Sequence, residues 1–169
     1  VLVASGLLDA LPDGAAVLVH STVLPPTVER LAERARDRGV AVHDAPVSGG
    51  AGAAKRGSLA VMAGGSDVAV DSIRAPFGCF SDLIVHAGPV GAGTRMKLAR
   101  NLLHFVAFTA ATEAQRLAEG AGLNIADLGK VVRHSDAITG GPGAIMLRET
   151  TRAIDPDDFW FPILGHVRD

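Results

Sequence analysis

The sequence predicts an α/β sheet region followed by an all-helical region, with the change of character near Gly88. Two observations carry that expectation. Before Gly88, short β-rich runs alternate with amphipathic stretches punctuated by Pro and Gly, the pattern of a sheet with helices packed on it. After Gly88, residues 94–119 contain neither Gly nor Pro, and a helical period resumes behind Asn124. The domain boundaries expected from this are 1–88 and 89–169, joined by a long interdomain helix.

Each element has a local reason. Pro12-Asp13-Gly14 is a turn cluster that introduces a strand over 16–21. Pro25-Pro26 opens a helix whose apolar stripe is Val28, Leu31, Ala32 and Ala35. Its other face offers Arg30/Glu33, Glu33/Arg36 and Arg34/Asp37 as i,i+3 ion pairs, and Gly39 closes it. Strands are expected over 40–43, 58–63 and 83–86, with a helix that Ser66 caps and Pro76 stops. Residues 102–111 are apolar on nearly every face, which predicts a helix buried all round, in a core or a subunit interface. Asn124, with Asp127 behind it, caps the next helix, on which Ile125, Leu128, Val131 and Val132 face inward. Gly140-Gly141-Pro142-Gly143 breaks the chain before a last helical stretch, 144–151.

Composition narrows the function classes. With 48% hydrophobic residues in 169, the chain can bury a core. A formal net charge of -2 gives no electrostatic footprint for nucleic acid or an anionic membrane. No run approaches the ~18 apolar residues needed to span a bilayer, and no basic-then-apolar leader opens the chain, so a cytoplasmic location is expected. Cys79 is the single cysteine, which excludes an intrachain disulfide; beside Phe77 and Phe80 it is expected to be a small buried hydrophobe. The six histidines show no metal-ligand spacing.

Two segments carry chemistry. In Asp44-Ala45-Pro46-Val47-Ser48-Gly49-Gly50-Ala51-Gly52, three glycines free backbone N–H groups to converge on an anion, and Ser48 adds a hydroxyl donor. A plain glycine-rich turn is the competing explanation, and the length of the run speaks against it. Lys97 and Asn101, at i,i+4, share one face of the long helix. A lysine held against apolar walls has its ammonium form disfavoured and becomes usable for proton transfer, whereas most lysines are simply solvated. Gly88-x-x-Gly91-x-Gly93 has the wrong order for a dinucleotide fingerprint, and Gly50-x-Gly52 lacks its third glycine, Lys55 standing there. No G-x-S-x-G, H-E-x-x-H or G-x-x-x-x-G-K occurs.

Taken together, Asp44 to Gly50, continued by Ala54, Gly57-Ser58-Leu59 and Gly64-Gly65, resemble the substrate-binding signature of the β-hydroxyacid dehydrogenases, the 3-hydroxyisobutyrate dehydrogenase and tartronate semialdehyde reductase group of the 6-phosphogluconate dehydrogenase superfamily. Gly91-Ala92-Gly93, Lys97, Asn101 and Glu113 resemble that family's catalytic helix, and Ser21-Thr22 with Pro25 its nicotinamide edge. The resemblance implies the later part of a Rossmann-type NAD(P)-binding domain over 1–88 and a truncated helical domain, serving dimerisation and substrate binding, over 89–169. It implies Lys97 as general acid/base, Ser48, Gly49 and Gly50 on a substrate carboxylate, Asn101 orienting the substrate, and Thr22 and Arg168 on the cofactor, NAD or NADP. Arg168-Asp169 stands where the family has Lys-Asp, and arginine keeps the charge but cannot shed a proton. The expected activity is hydride transfer between NAD(P) and a small β-hydroxyacid or semialdehyde. The alternatives are a non-catalytic scaffold or ligand-sensing member, and an imine reductase. The family's glycine-rich fingerprint has no counterpart in these residues. The chain is therefore expected to be a fragment that binds no dinucleotide tightly alone and exposes a sheet edge. Homo-oligomerisation through the helical domain is the expected association.

Overall fold

The computed structural model describes residues 6–139. In order these form α1 (Leu7–Ala10), β1 (Ala16–Val19), α2 (Pro25–Arg36), β2 (Ala41–Asp44), β3 (Val47–Ser48), α3 (Gly50–Arg56), β4 (Leu59–Gly64), α4 (Asp67–Phe77), β5 (Ser81–Gly88), α5 (Ala92–Gly120) and α6 (Ile125–Thr139). The stretch 144–151 and Arg168 lie outside the described residues. The chain divides into two compact units between Leu102 and Leu103, inside α5.

The sheet of the first unit is mixed. β1 and β2 pair in parallel from Ala16↔Ala41 to Val19↔Asp44. β4 and β5 pair in parallel from Leu59↔Ser81 to Gly64↔Gly88. Between these halves the pairing is antiparallel: Asp44 faces Gly64, Val47 faces Val61 and Ser48 faces Ala60. The Met62 N–H donates to the Pro46 carbonyl at 3.0 Å, so the register is continuous from Asp44 to Ser48. The chain thus leaves β2 at Asp44 and runs backwards along β4. Among the described residues β1 pairs with β2 alone.

Alternation along β1 shows the two faces. Val17 and Val19 pack with Val28, Ala35, Val40 and Val42 under α2, and Leu18 packs with Val61, Ala63, Val70, Ile73 and Phe77 under α4. The expected stripe of α2 is therefore the buried one, and each valine it buries contributes about 1.5–3 kcal/mol against exposure. Its expected i,i+3 ion pairs do not form. The salt bridges of this region run instead from Glu29 to Arg95 and from Arg38 to Asp9, where longer reaches meet partners on other elements. The Ser66 hydroxyl accepts from the Ala69 N–H at 3.3 Å, as an N-cap should. Pro76 does not end α4 by itself: it sits in the last turn, and the helix continues to Phe77.

Three other expectations are corrected. The glycine run after Ser48 is neither a plain turn nor irregular backbone: it forms a helix, α3. Gly49 (φ +129°) and Gly57 (φ +67°) bracket it with backbone conformations that an L side chain resists, and Ala53 anchors it in the core. Cys79 is exposed, because it lies in the turn after Gly78 while Phe77 and Phe80 pack inward against each other. The apolar stretch 102–111 is not buried in this structure: Leu102 is 67% exposed, Phe105 61% and Phe108 57%. Locally, the His104 ring stacks on Phe108, one turn away. No helix of the described residues is long and apolar enough to cross a membrane.

Candidate active site

The site is assembled where α5 starts against the sheet. Gly91 has φ +90°, and a Cβ on Gly93 would overlap the Met62 carbonyl oxygen, so only glycines let the first turn of α5 lie directly on the β4 backbone. The Asp44 carboxylate, fully buried at the end of β2, accepts the Gly91 N–H at 2.7 Å and the Thr94 N–H at 2.6 Å. These N–H groups belong to the end of a helix that leaves its donors unsatisfied and carries a partial positive charge. Gly64, opposite Asp44 in the sheet, has no Cβ to collide with that carboxylate.

One turn further along α5, Lys97 is half-buried and its Nζ donates to the Val47 carbonyl at 2.7 Å. The amine of the long helix thus meets the segment that leads into Ser48, Gly49 and Gly50. Burial, with the like charge of Arg100 second, lowers the Lys97 pKa from its ordinary value. Ser48 is half-buried at the end of β3, and Gly49 and Gly50 are exposed with φ +129° and +65°. Gly50 opens α3, so its N–H and those following have no partner within the helix. The hydroxyl of Ser48 makes no hydrogen bond among the described residues. Asn101 lies on the next turn of α5, where its Oδ1 accepts from Arg100 Nη1 at 3.4 Å.

The end of β1 is tied to the same segment. The Ala45 N–H donates to the Val19 carbonyl at 3.0 Å, and His20 Nδ1 donates to the Ala45 carbonyl at 2.7 Å while its ring packs on Phe77. Beyond it Ser21 and Thr22 are exposed. No hydrogen bond links Thr22 to Lys97 or Ser48. The described residues therefore fit one part of a dinucleotide, with hydroxyls free at the carboxyl end of a parallel strand, where α/β sheets take ligands. The G-x-G-x-x-G order of a pyrophosphate-binding turn does not occur among them. No group of His, Cys, Asp or Glu among them is arranged to hold a metal.

The structure thus brings Lys97 and the Ser48–Gly50 segment together and leaves Asn101 one turn away on the same helix. Glu113, also on α5, pairs with Arg116 at 3.6 Å. Sequence reasoning passed over the contacts of Asp44, His20 and His86. His86 Nε2 lies 2.9 Å from the Gly65 carbonyl and 3.2 Å from that of Gly88, joining the ends of β4 and β5. An acidic residue closing a short strand, directly before Ala45-Pro46, is the available signal for Asp44.

His43, beside Asp44, has a buried Nδ1 with no partner. Burial lowers its pKa from 6.5, and the Asp44 charge opposes that shift without cancelling it. As pH falls from 6.5 towards the lowered value, the unfolded chain takes up a proton that the native chain declines. Stability is therefore expected to fall with acid across that window. Urea midpoints measured between neutral and mildly acidic pH check this, and His43→Gln should give a shallower dependence.

Residues 1–88 match the family model described as the NAD binding domain of 6-phosphogluconate dehydrogenase. The chain is 53% identical to an uncharacterized oxidoreductase of Mycobacterium tuberculosis over 97% of its own length and 56% of that protein's. It is 38% identical to the NAD-dependent L-serine dehydrogenase of Pseudomonas aeruginosa over 77% of this chain and 44% of the relative. Among solved structures, a putative oxidoreductase from Mycobacterium avium 104 superposes with TM-score 0.83 at 46% identity, covering 98% of this chain and 60% of that one. A 3-hydroxyisobutyrate dehydrogenase from Mycobacterium tuberculosis with L-serine superposes with TM-score 0.67 at 29% identity, covering 88% and 50%. The chain spans about half the length of the curated relatives it matches. With the family model accounting for residues 1–88 and a mixed sheet feeding a long helix, this chain belongs to the 6-phosphogluconate dehydrogenase-type NAD-binding family, alongside 3-hydroxyisobutyrate and L-serine dehydrogenases.

Proposed function

We propose that this chain forms part of an NAD(P)-dependent oxidoreductase of small β-hydroxyacids and their semialdehydes, with Lys97 as the general acid/base. The observation that carries this is the Lys97 amine, lowered in pKa by burial, held 2.7 Å from the Val47 carbonyl beside Ser48, Gly49 and Gly50. A β-hydroxyacid has two handles, a carboxylate and an alcohol. The free donors of Ser48, Gly49 and Gly50 take the carboxylate, and Lys97 takes the alcohol proton in oxidation and returns it in reduction. Asn101 orients the substrate one turn along, and Thr22 meets the nicotinamide end of the cofactor. A bound nicotinamide supplies the hydride acceptor, leaving orientation and proton handling to the protein. L-serine, named for two of the similar proteins, is itself a β-hydroxyacid. The exposed Phe105 and Phe108 on α5 support association of the intact protein through its helical part.

The test is an assay of the intact gene product on L-serine, 3-hydroxyisobutyrate and cyclic imines, with NAD and NADP in turn. Turnover of a hydroxyacid supports the proposal, and turnover of imines alone overturns it. Oxidation needs the neutral amine, so kcat/KM for the alcohol should rise with pH and level off below the ordinary lysine value of 10.5. Reduction needs the ammonium and should fall across the same point. Ser48→Ala should raise KM for the acid and leave that break in place.

A further inference from the structure

We propose that Asp44 is a positioning residue for proton transfer: its carboxylate locks the first turn of α5 to the sheet and so fixes the reach of Lys97 over Ser48–Gly50. The inference rests on the role of Lys97 proposed above. The five-residue stretch from Asp44 to Ser48 grips α5 at two points, through the Asp44 oxygens on the Gly91 and Thr94 N–H groups, and through the Val47 carbonyl on Lys97 Nζ. The same stretch ends in Ser48. Acid/base and carboxylate donors are thereby referred to one short piece of backbone, itself pinned by continuous register against β4.

Three features mark the Asp44 contact as built for this. The side chain is fully buried, so both of its bonds form away from competing water. Gly64 leaves the space it fills, and a Cβ there would overlap the carboxylate. Gly91 adopts φ +90°, which turns its N–H onto Asp44. A side chain that only needed to cap a helix would do so from the helix's own preceding residue. Here the cap comes from a different layer, 47 and 50 residues away in sequence, and it ties helix to sheet.

The experiment uses the intact protein with Asp44→Asn and Asp44→Ala. Asparagine keeps the shape but offers one oxygen and turns an NH2 towards the other donor, so it should satisfy one of the two N–H groups. A displacement of Lys97 by about 1 Å costs up to ~10²-fold in rate. Asp44→Asn should therefore lower kcat by about tenfold and Asp44→Ala by more, with KM for the hydroxyacid within about twofold. The pH break belonging to Lys97 should move in both. A purely structural role would reduce the folded fraction, scale kcat and leave the break unmoved, and that result overturns the proposal. Two readouts do not require turnover. In the wild-type protein the Gly91 and Thr94 amides should exchange with solvent as slowly as those of β4, and fast exchange overturns the lock even where the variants fail to fold. NMR titration of Lys97 should differ between wild type and Asp44→Asn. If no hydroxyacid is turned over, the proposed function fails, while exchange and titration still decide whether Asp44 positions Lys97.

Discussion

Lys97→Met is expected to lower kcat by at least ~10²-fold, about 2.7 kcal/mol of transition-state stabilisation, with KM for the hydroxyacid little changed. Methionine keeps an apolar stem and removes the amine that reaches the Val47 carbonyl. The proposed carboxylate donors Ser48, Gly49 and Gly50, on a different element, stay in place, and an interaction used only while a proton moves is lost from kcat rather than from KM. Lys97→Arg separates charge from chemistry: the guanidinium carries the same charge but accepts no proton at accessible pH, so it should be nearly as impaired as methionine. Steady-state kinetics of the intact protein in the oxidation direction, with a thermal melt of each variant, check both. Turnover near wild type in Lys97→Met would assign the proton to another group and leave family membership untouched.

Gly93→Ala is expected to have the largest effect on stability. The added Cβ would overlap the Met62 carbonyl oxygen and stand 3.0 Å from the Gly64 nitrogen, both backbone atoms that no rotamer change can move. The helix must lift off β4, which carries the bonds to Asp44 with it. Overpacking of this kind costs about 3 kcal/mol, or a fall of about 6–12 °C in melting temperature at this chain length. Gly120, at the other end of α5, has nothing within 4 Å of an added Cβ. Gly120→Ala should be neutral or slightly stabilising by helix propensity, up to ~1 kcal/mol. Parallel melts of the two variants distinguish a steric demand at Gly93 from a general effect of removing glycine.

Much of this architecture is legible in the sequence because it is local. The stripe of Val28, Leu31, Ala32 and Ala35 announces α2, and Ser66 and Asn124 announce the starts of the helices they cap. Lys97 and Ser48–Gly50 are legible by resemblance, and the structure places Lys97 beside the residue that precedes Ser48. Illegible features depend on contacts distant in sequence. The helix α3 runs against the low propensity of its glycines, and burial of Ala53 with the left-handed turn at Gly57 outweighs that cost. The antiparallel run of Asp44 to Ser48 along β4 depends on register, which alternating hydrophobicity does not encode. Residues 102–111 set a different limit. An all-apolar helix states that a face needs a cover, not which chain supplies it.

At one level of the sheet Asp44, Gly64 and Gly88 stand side by side, with Gly93 of α5 resting on the neighbouring β4 backbone. Each fills or vacates space on behalf of another, so their fitness effects are bound to be epistatic. A combinatorial library that shuffles Asp44, Gly64 and Gly93 would return folded clones only in matched sets: a larger residue at 64 survives alongside a shorter one at 44, with the lock on α5 lost, and fails beside aspartate.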